Sequence, residues 1–398
     1  MIKVILPQNN RNDFSIITDA VLKDVCKRLY KTTSFKKEYE DRAIGRYFKV
    51  INEKTKEIYF IVFCNPTNNS RNAHLLQFIP PAYRDYYVCY SNNKHLAIYL
   101  INPDGNDRTP YIKLFYRCFK NLGINIINFD QVGISNITSF TNYEEFRIER
   151  NNNRDRNTGN ESTYFEENEN DITIYGKTDG TNVNESFILA LALAQIMKKH
   201  IDDEDKKPIY FYPVKEDLKE DYKAILQANG VKVEEKIETL PDGSAKPETE
   251  KLDSIRNTKI YHYNLLQKFG EKRCYLCHCD IEHTVIGSHI ERVTDIKNNP
   301  AYSEKEKLSR AVDGENGLWL CATHDKMFEF GIIYFDKRLL KIGKYVLDPK
   351  QKDYINKSIF DLRKVYSNDL ASNVFKIDPK DFTAKMEEYI DIHKARVA

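Results

Sequence analysis

Residues 1 to about 140 alternate two hydrophobic patterns. EIYFIVFC, HLAIYLI and INIINF are nearly continuous apolar runs, whereas ITDAVLKDVCKRLY and TPYIKLFYRCFKNLG repeat apolar residues three and four positions apart. The first pattern suits strands and the second amphipathic helices, so this stretch predicts an α/β or α+β domain. The opening MIKVILPQNN reads as a short strand that stops at Pro7. Asn151 to Asn170, NNNRDRNTGNESTYFEENEN, has almost no apolar content and reads as a loop or linker. Beyond it the alternation becomes regular, with DITIYG, PIYFYPV and VKVEE as strands and SFILALALAQIMKKH and KEDLKEDYKAILQANG as helices. Strands separated by helices imply crossovers and a parallel βαβαβ unit. The first of those helices is apolar on nearly every face and is expected to be buried.

A second break, TLPDGSAKPETEK, precedes the C-terminal part. The divisions expected are a basic domain over 1–145, a linker over 146–170, the parallel unit over 171–240, a linker over 241–257, a C-terminal module over 258–345 and a helical extension over 346–398. The fold class expected is therefore an α/β or α+β multidomain chain.

Composition narrows the class. At 398 residues with 41% apolar content, the chain is long enough for two or three packed domains. Its start does not resemble a secretory signal, and its most apolar run, Ser186 to Met197, is well short of the roughly 20 residues that span a bilayer. A cytoplasmic protein without a membrane partner is expected. Eight cysteines at this length indicate a reducing compartment, and Cys26, Cys64, Cys89 and Cys118, scattered singly among apolar residues, read as small buried hydrophobes.

The net charge of +2 hides an asymmetry of +8 over 1–130, −9 over 131–256 and +3 over 257–398. A basic front and a mildly basic end suit a nucleic-acid partner, against the plainer alternative of solvated surface charge. Within the front, PPAYRDYYVCY interleaves Tyr83, Tyr86, Tyr87 and Tyr90 with Arg84. Aromatics in such a setting can stack bases, but their helical spacing favours a core stripe. The polar loop Gly176 to Glu185 follows a strand, where open sheets bind ligands, yet it matches no phosphate-binding pattern. It is either a ligand or DNA contact or a plain connection.

The strongest chemical signal lies near the C-terminus. Cys274 and Cys277 form a C-x-x-C pair, and Cys321 and His324 form a second pair at the same spacing, 44 residues further on. Two such pairs make a four-ligand Cys3His set for structural Zn²⁺, with Cys279 and His278 as spare ligands. Between the pairs lies GSHIERV with His289, and GENGLWLCATHDKMFEFG carries Asn316, His324 and Asp325.

From Lys272 to Asp336, this order resembles the HNH (ββα-metal) endonuclease family, in particular bacterial restriction enzymes of that class. The resemblance implies a β-hairpin and helix around a metal ion, with His289 as general base, Asn316 fixing the loop or reaching the metal, and Asp325 as a ligand of a catalytic divalent ion. Asp325 stands where a His is more usual and Ser288 where many members have Asp. A carboxylate is a hard ligand suited to Mg²⁺ or Mn²⁺, with His324 as the alternative ligand. Arg292, Lys297, Arg310 and Lys326 are candidate phosphate contacts.

The expected function is metal-dependent hydrolysis of double-stranded DNA, with target recognition in the front regions and a homodimer as one candidate assembly. The rival readings are a ligand-activated, non-specific nuclease effector of anti-phage defence and a non-catalytic zinc-stabilised DNA-binding protein.

Overall fold

The computed structural model describes the chain apart from residues 1, 10–17, 43–44, 65–93, 103–108, 128–136, 153–162, 181, 203–205, 247–254, 282 and 367–373. The aromatic segment Pro80 to Tyr90 lies outside the described residues. The chain sorts into two compact units. The first comprises residues 1–163 and 176–236, the second residues 164–175 and 237–398.

In the first unit, strands β1 (Ile2–Asn9), β2 (Phe35–Arg42), β3 (Gly45–Asn52), β4 (Ile58–Cys64), β5 (Lys94–Asn102) and β6 (Asn125–Ile127) form a mixed sheet ordered β2-β3-β4-β5-β1-β6. The β2-β3-β4 ladder is antiparallel, whereas β4-β5-β1-β6 is parallel. Contrary to expectation, β1 does not stop at Pro7. It continues to Asn9, with the register slipping between Ile5 and Gln8, which steps the ladder past a residue that has no N–H to donate. The β2 strand, FKKEYEDR, has too few apolar residues to announce itself, as suits a charged edge strand.

Helix α1 (Asp19–Tyr30) starts at Thr18, whose hydroxyl accepts from Val21 N–H, and buries Leu22, Val25, Cys26 and Leu29 at helical spacing. Those residues share a core with Phe48, Val50, Tyr59 and Ile61. Burial pushes the Cys26 thiol up to about 12, and Cys118 is likewise fully buried, so both behave as inert hydrophobes.

Two further helices, α2 (Thr109–Asn121) and α3 (Tyr143–Asn152), complete the front of this unit. They are joined by Arg117, which pairs with Glu145 and Glu149 and lies over the Phe140 ring. The segment 146–170 is not simply a linker, because α3 runs into it and a strand, β7 (Thr163–Glu167), forms near its end. Tyr164, diluted in an Asn-rich window, is its buried aromatic, and Phe165, on the opposite face, is only partly buried.

Strand β8 (Ile172–Lys177) leads into α4 (Asn182–His200), which is buried almost all round as its pattern requires. Strands β9 (Ile209–Val214) and β10 (Val231–Val233), separated by α5 (Glu220–Ala228), pair in parallel. No helix among the described residues is long and apolar enough to cross a membrane.

The second unit contains residues 164–175 of β7 and β8, turned by a hydrogen bond from Asn168 N–H to Asp171 O, and helix α6 (Ile255–Phe269). Tyr164 and Tyr175 both pack against Tyr263 of α6. Glu166, buried on β7, accepts from Lys272 at 3.3 Å and Tyr175 at 3.2 Å and lies 2.7 Å from His262 Nδ1. Burial alone would raise its pKa, but His262, Lys272 and Lys259 outweigh that and hold the carboxyl well below its usual range. Lys259 adds bonds to Thr173 and Asp171.

The rest of this unit follows in order: β11 (Val285–His289), α7 (Val293–Asn298), α8 (Glu304–Val312), a short 3-10 turn (Gly314–Asn316), β12 (Gly317–Cys321), α9 (Ala322–Glu329), β13 (Ile333–Asp336), β14 (Leu339–Ile342), α10 (Pro349–Tyr366) and α11 (Ala384–Val397). Their core includes Leu318, Leu320, Met327, Phe328, Ile359 and Tyr389.

On α11, His393 donates from Nε2 to the Phe328 carbonyl at 3.0 Å and stacks on the Phe328 ring. Burial, with the nearby Arg396 charge, pushes its pKa down to about 4. The unfolded chain takes up a proton near 6.5 that the folded protein refuses until about 4, so stability falls as pH drops through that window. The shift corresponds to roughly 3 kcal/mol. Melting from pH 7.5 to 4.5 should show a shallower loss for His393→Gln than for the native protein, and identical slopes would contradict this account.

Candidate metal centre and catalytic side chains

The two C-x-x pairs meet. The ligand atoms of Cys274, Cys277, Cys321 and His324 all lie within 4.8 Å of one another, and all four residues are buried. Cys274 and Cys277 come from a tight turn in which His278 N–H donates to Cys274 O and Cys274 N–H to Cys279 O. Tyr275 N–H donates to Trp319 O at 2.7 Å, tying this turn to β12. Cys321 ends β12 at the N-cap of α9, and His324 follows in the first helical turn.

His324 Nδ1 lies 3.4 Å from Cys274 Sγ and 3.2 Å from Cys321 Sγ, and the Cys277 and Cys321 sulfurs are 4.0 Å apart. A tetrahedral ion about 2.3 Å from each sulfur separates two sulfurs by about 3.8 Å, so the set fits Zn²⁺. His324 Nε2 lies 3.2 Å from Ser358 Oγ, and that hydroxyl donates to Ile355 O at 2.7 Å. The hydroxyl is therefore left to accept from Nε2–H, which points the bare Nδ1 lone pair at the sulfurs.

Without a cation, hydrogen bonding from Cys274 and Cys321 drives the Cys277 thiol far up while Cys321 is pulled down. Three sulfurs and one imidazole nitrogen this close together are the donor set of a tetrahedral zinc site. Neither spare ligand joins the cluster. Cys279 lies instead 3.8 Å from the Thr284 hydroxyl.

Strands β11 and β12 pair antiparallel, with Val285 opposite Cys321 and His289 opposite Gly317, and α9 follows β12 directly. The zinc pair closes one end of this hairpin and His289 occupies the other. The His289 ring donates from Nε2 to the Ala311 carbonyl at 2.9 Å and stacks on Tyr261. Nδ1 has no partner among the described residues and is not sealed from solvent. Burial pushes the imidazole down to about 4, opposed by the bond to Ala311, so it is neutral at physiological pH. A neutral ring with Nε2–H tied back presents Nδ1 as a proton acceptor.

Asn316 has a different job from the metal ligand suggested as one alternative. It is fully buried, its Oδ1 accepts from Glu291 N–H at 2.7 Å, and its Nδ2 donates to the Glu291 and Arg310 carbonyls, each at 3.1 Å. With its polar atoms spent on backbone, it clamps the loop after His289 and is not placed to ligate an ion.

His324 is committed to the sulfurs, which leaves Asp325 as the remaining candidate for a hard cation. Successive helical residues diverge by about 100°, so one residue can face the zinc set while the next faces elsewhere. Asp325 is 14% exposed, its nearest ion-pair partner is Lys326 at 3.9 Å, and its charge acts on Tyr261. No second cluster of three or more His, Cys, Asp or Glu ligands occurs among the described residues.

The candidate phosphate contacts separate by geometry. Arg310 is committed to Glu291 and Glu388 and lies between the Tyr302 and Tyr389 rings. Arg292 forks onto Asp295, and Lys326, largely exposed, pairs with Glu329. In the loop after β8, Thr178 donates to Val214 O, and Asp179 pairs with Lys215 and accepts from Asn182. Thr178, Asp179 and Asn182 thus brace the connection.

Ser358, Ala311 and Tyr261 were not legible as site residues. Each comes from a separate helix and carries no local motif, and Ala311 acts through its backbone. Comparison with protein-family models and with curated proteins found no match.

Proposed function

We propose that the protein is a metal-dependent endonuclease of double-stranded DNA, its second unit holding a zinc-stabilised nuclease module of the HNH type and its basic front supplying target recognition in the manner of a restriction enzyme. The observation that carries this reading is His289: a neutral imidazole tied back through Nε2 to Ala311, with Nδ1 open, on a hairpin closed at its other end by the Cys3His set.

Phosphodiester hydrolysis needs a base to take the water proton and a cation to neutralise charge on the phosphate. His289 Nδ1 takes that proton as the water oxygen bonds to phosphorus and the bond to the leaving oxygen breaks. Bound Mg²⁺ or Mn²⁺ would supply the charge neutralisation. A site with one protein carboxylate, Asp325, suits Mg²⁺, which keeps several waters and leans on substrate phosphate. The zinc does no chemistry. It braces a hairpin and helix too small to build their own core.

Incubation of the pure protein with unmodified plasmid or phage DNA and Mg²⁺ or Mn²⁺ should give discrete fragments. A smear would favour a non-specific effector. Binding with no metal-dependent cutting would reduce the module to a DNA reader.

A further inference from the structure

Beside His289, two glycines lie on the hairpin face that also carries Trp319. Gly317 is the cross-strand partner of His289, and Gly287 lies two residues earlier on the same face of β11. A Cβ at Gly317 would collide with the Tyr261 hydroxyl and sit 2.8 Å from Leu265 Cδ2. A Cβ at Gly287 would sit 3.0 Å from Tyr261 Cε1 and 2.9 Å from Leu265 Cδ1. The two glycines thus open a slot in the sheet surface, and Tyr261 of α6 fills it.

The Tyr261 ring lies 3.9 Å from the imidazole of His289 at an interplanar angle of 14°. Tyr261 is only 3% exposed, and its hydroxyl has no hydrogen-bond partner among the described residues. The ring plane, not the hydroxyl, is what the slot uses. The bond from His289 Nε2 to Ala311 fixes one point on the imidazole, but the torsion that sets its plane is intrinsically broad. A second contact, across the ring face, is needed to aim Nδ1.

We propose that Tyr261 is a positioning residue for His289: seated in the Gly287–Gly317 slot, it fixes the plane of the imidazole and so the direction of Nδ1. The proposal rests on the reading of His289 as the base of the proposed nuclease. It does not require Tyr261 to touch DNA or metal. The arrangement also explains why α6, which precedes the first Cys pair, belongs to the site: it supplies the floor that the hairpin lacks.

The test uses the full-length, zinc-loaded protein with isotope-labelled histidine, the His289 signals being assigned by their loss in His289→Gln. In the native protein, the stacked Tyr261 ring should shift the carbon-bound protons of His289 upfield, and the nitrogen spectrum should show the Nε2–H tautomer alone. In Tyr261→Leu the upfield shift should vanish and the tautomers should mix. The same variant should lose about 10- to 100-fold in kcat on plasmid DNA with Mg²⁺ at unchanged KM, as expected when a reacting group is misaimed. Tyr261→Phe should restore the shift, the single tautomer and most of the lost rate.

A native protein without the upfield shift would overturn the proposal, even if Tyr261→Leu failed to fold. So would a folded, zinc-loaded Tyr261→Leu with native tautomer and kcat, or a Tyr261→Phe as impaired as the Leu variant. If the native protein cuts no DNA, the nuclease reading fails, while the spectra still decide whether Tyr261 orients His289.

Discussion

Replacing Cys274 by Ser will empty the Cys3His site and unfold the second unit, and removal of the metal by a strong chelator will do the same to the native protein. Structural zinc contributes about 10–16 kcal/mol of apparent binding free energy in small zinc modules, comparable to the roughly 5–15 kcal/mol by which a whole domain is stable. The four ligands are buried together, so losing one leaves the others as thiols and an imidazole in a desolvated cluster with no cation.

The chain provides its own reporter. Trp319, its only tryptophan, is fully buried on β12 two residues before Cys321. Loss of metal should move Trp319 emission to longer wavelength and take the zinc content from one per chain to none. Metal-free protein with native emission and an unchanged melting profile would show that the cluster is a packed group of thiols and nothing more.

His289→Ala will separate fold from chemistry. Removing a general base costs about 10²- to 10⁴-fold in rate. The same change also removes the bond to Ala311 and the stack on Tyr261, so a loss of about 1–3 kcal/mol in stability should accompany it. Zinc content and Trp319 emission should be native, because His289 lies at the opposite end of the hairpin from Cys321. His289→Gln is the useful companion, since its amide can still donate to Ala311 but cannot act as the base. Both variants are expected to bind DNA in Ca²⁺ and fail to cut it in Mg²⁺. A folded His289→Ala protein with undiminished cleavage would end the proposed mechanism.

The zinc ligands were readable because Cys-x-x-Cys and Cys-x-x-His each carry their geometry in local spacing, and only their meeting needed the fold. His289 stood out in the sequence by its place between the pairs, and its role belongs to the proposal. Asn316 was readable as a site residue, but whether it clamps a loop or holds a metal depends on Glu291 and Arg310, which come from two separate stretches of chain. The hidden part is what arrives from afar. Tyr261 looks like one aromatic among many until Gly287 and Gly317 are seen to make room for it. Likewise β7 was hidden because Tyr164 sits in an Asn-rich window and packs against a helix nearly a hundred residues later.

The origin of the β7–β8 hairpin has a consequence for how the chain is made. Residues 164–175 leave the ribosome well before their partners on α6, and before the rest of their unit. At roughly 5–20 residues per second, the stretch of about ninety residues that separates them from α6 takes on the order of ten seconds to make. Through that time Tyr164, Tyr175 and the Glu166 carboxylate lack the Tyr263, His262 and Lys272 that later cover them. The nascent chain also cannot assemble the Cys3His set until Cys321 and His324 emerge, so the metal site forms only after every residue of the first unit has been synthesised.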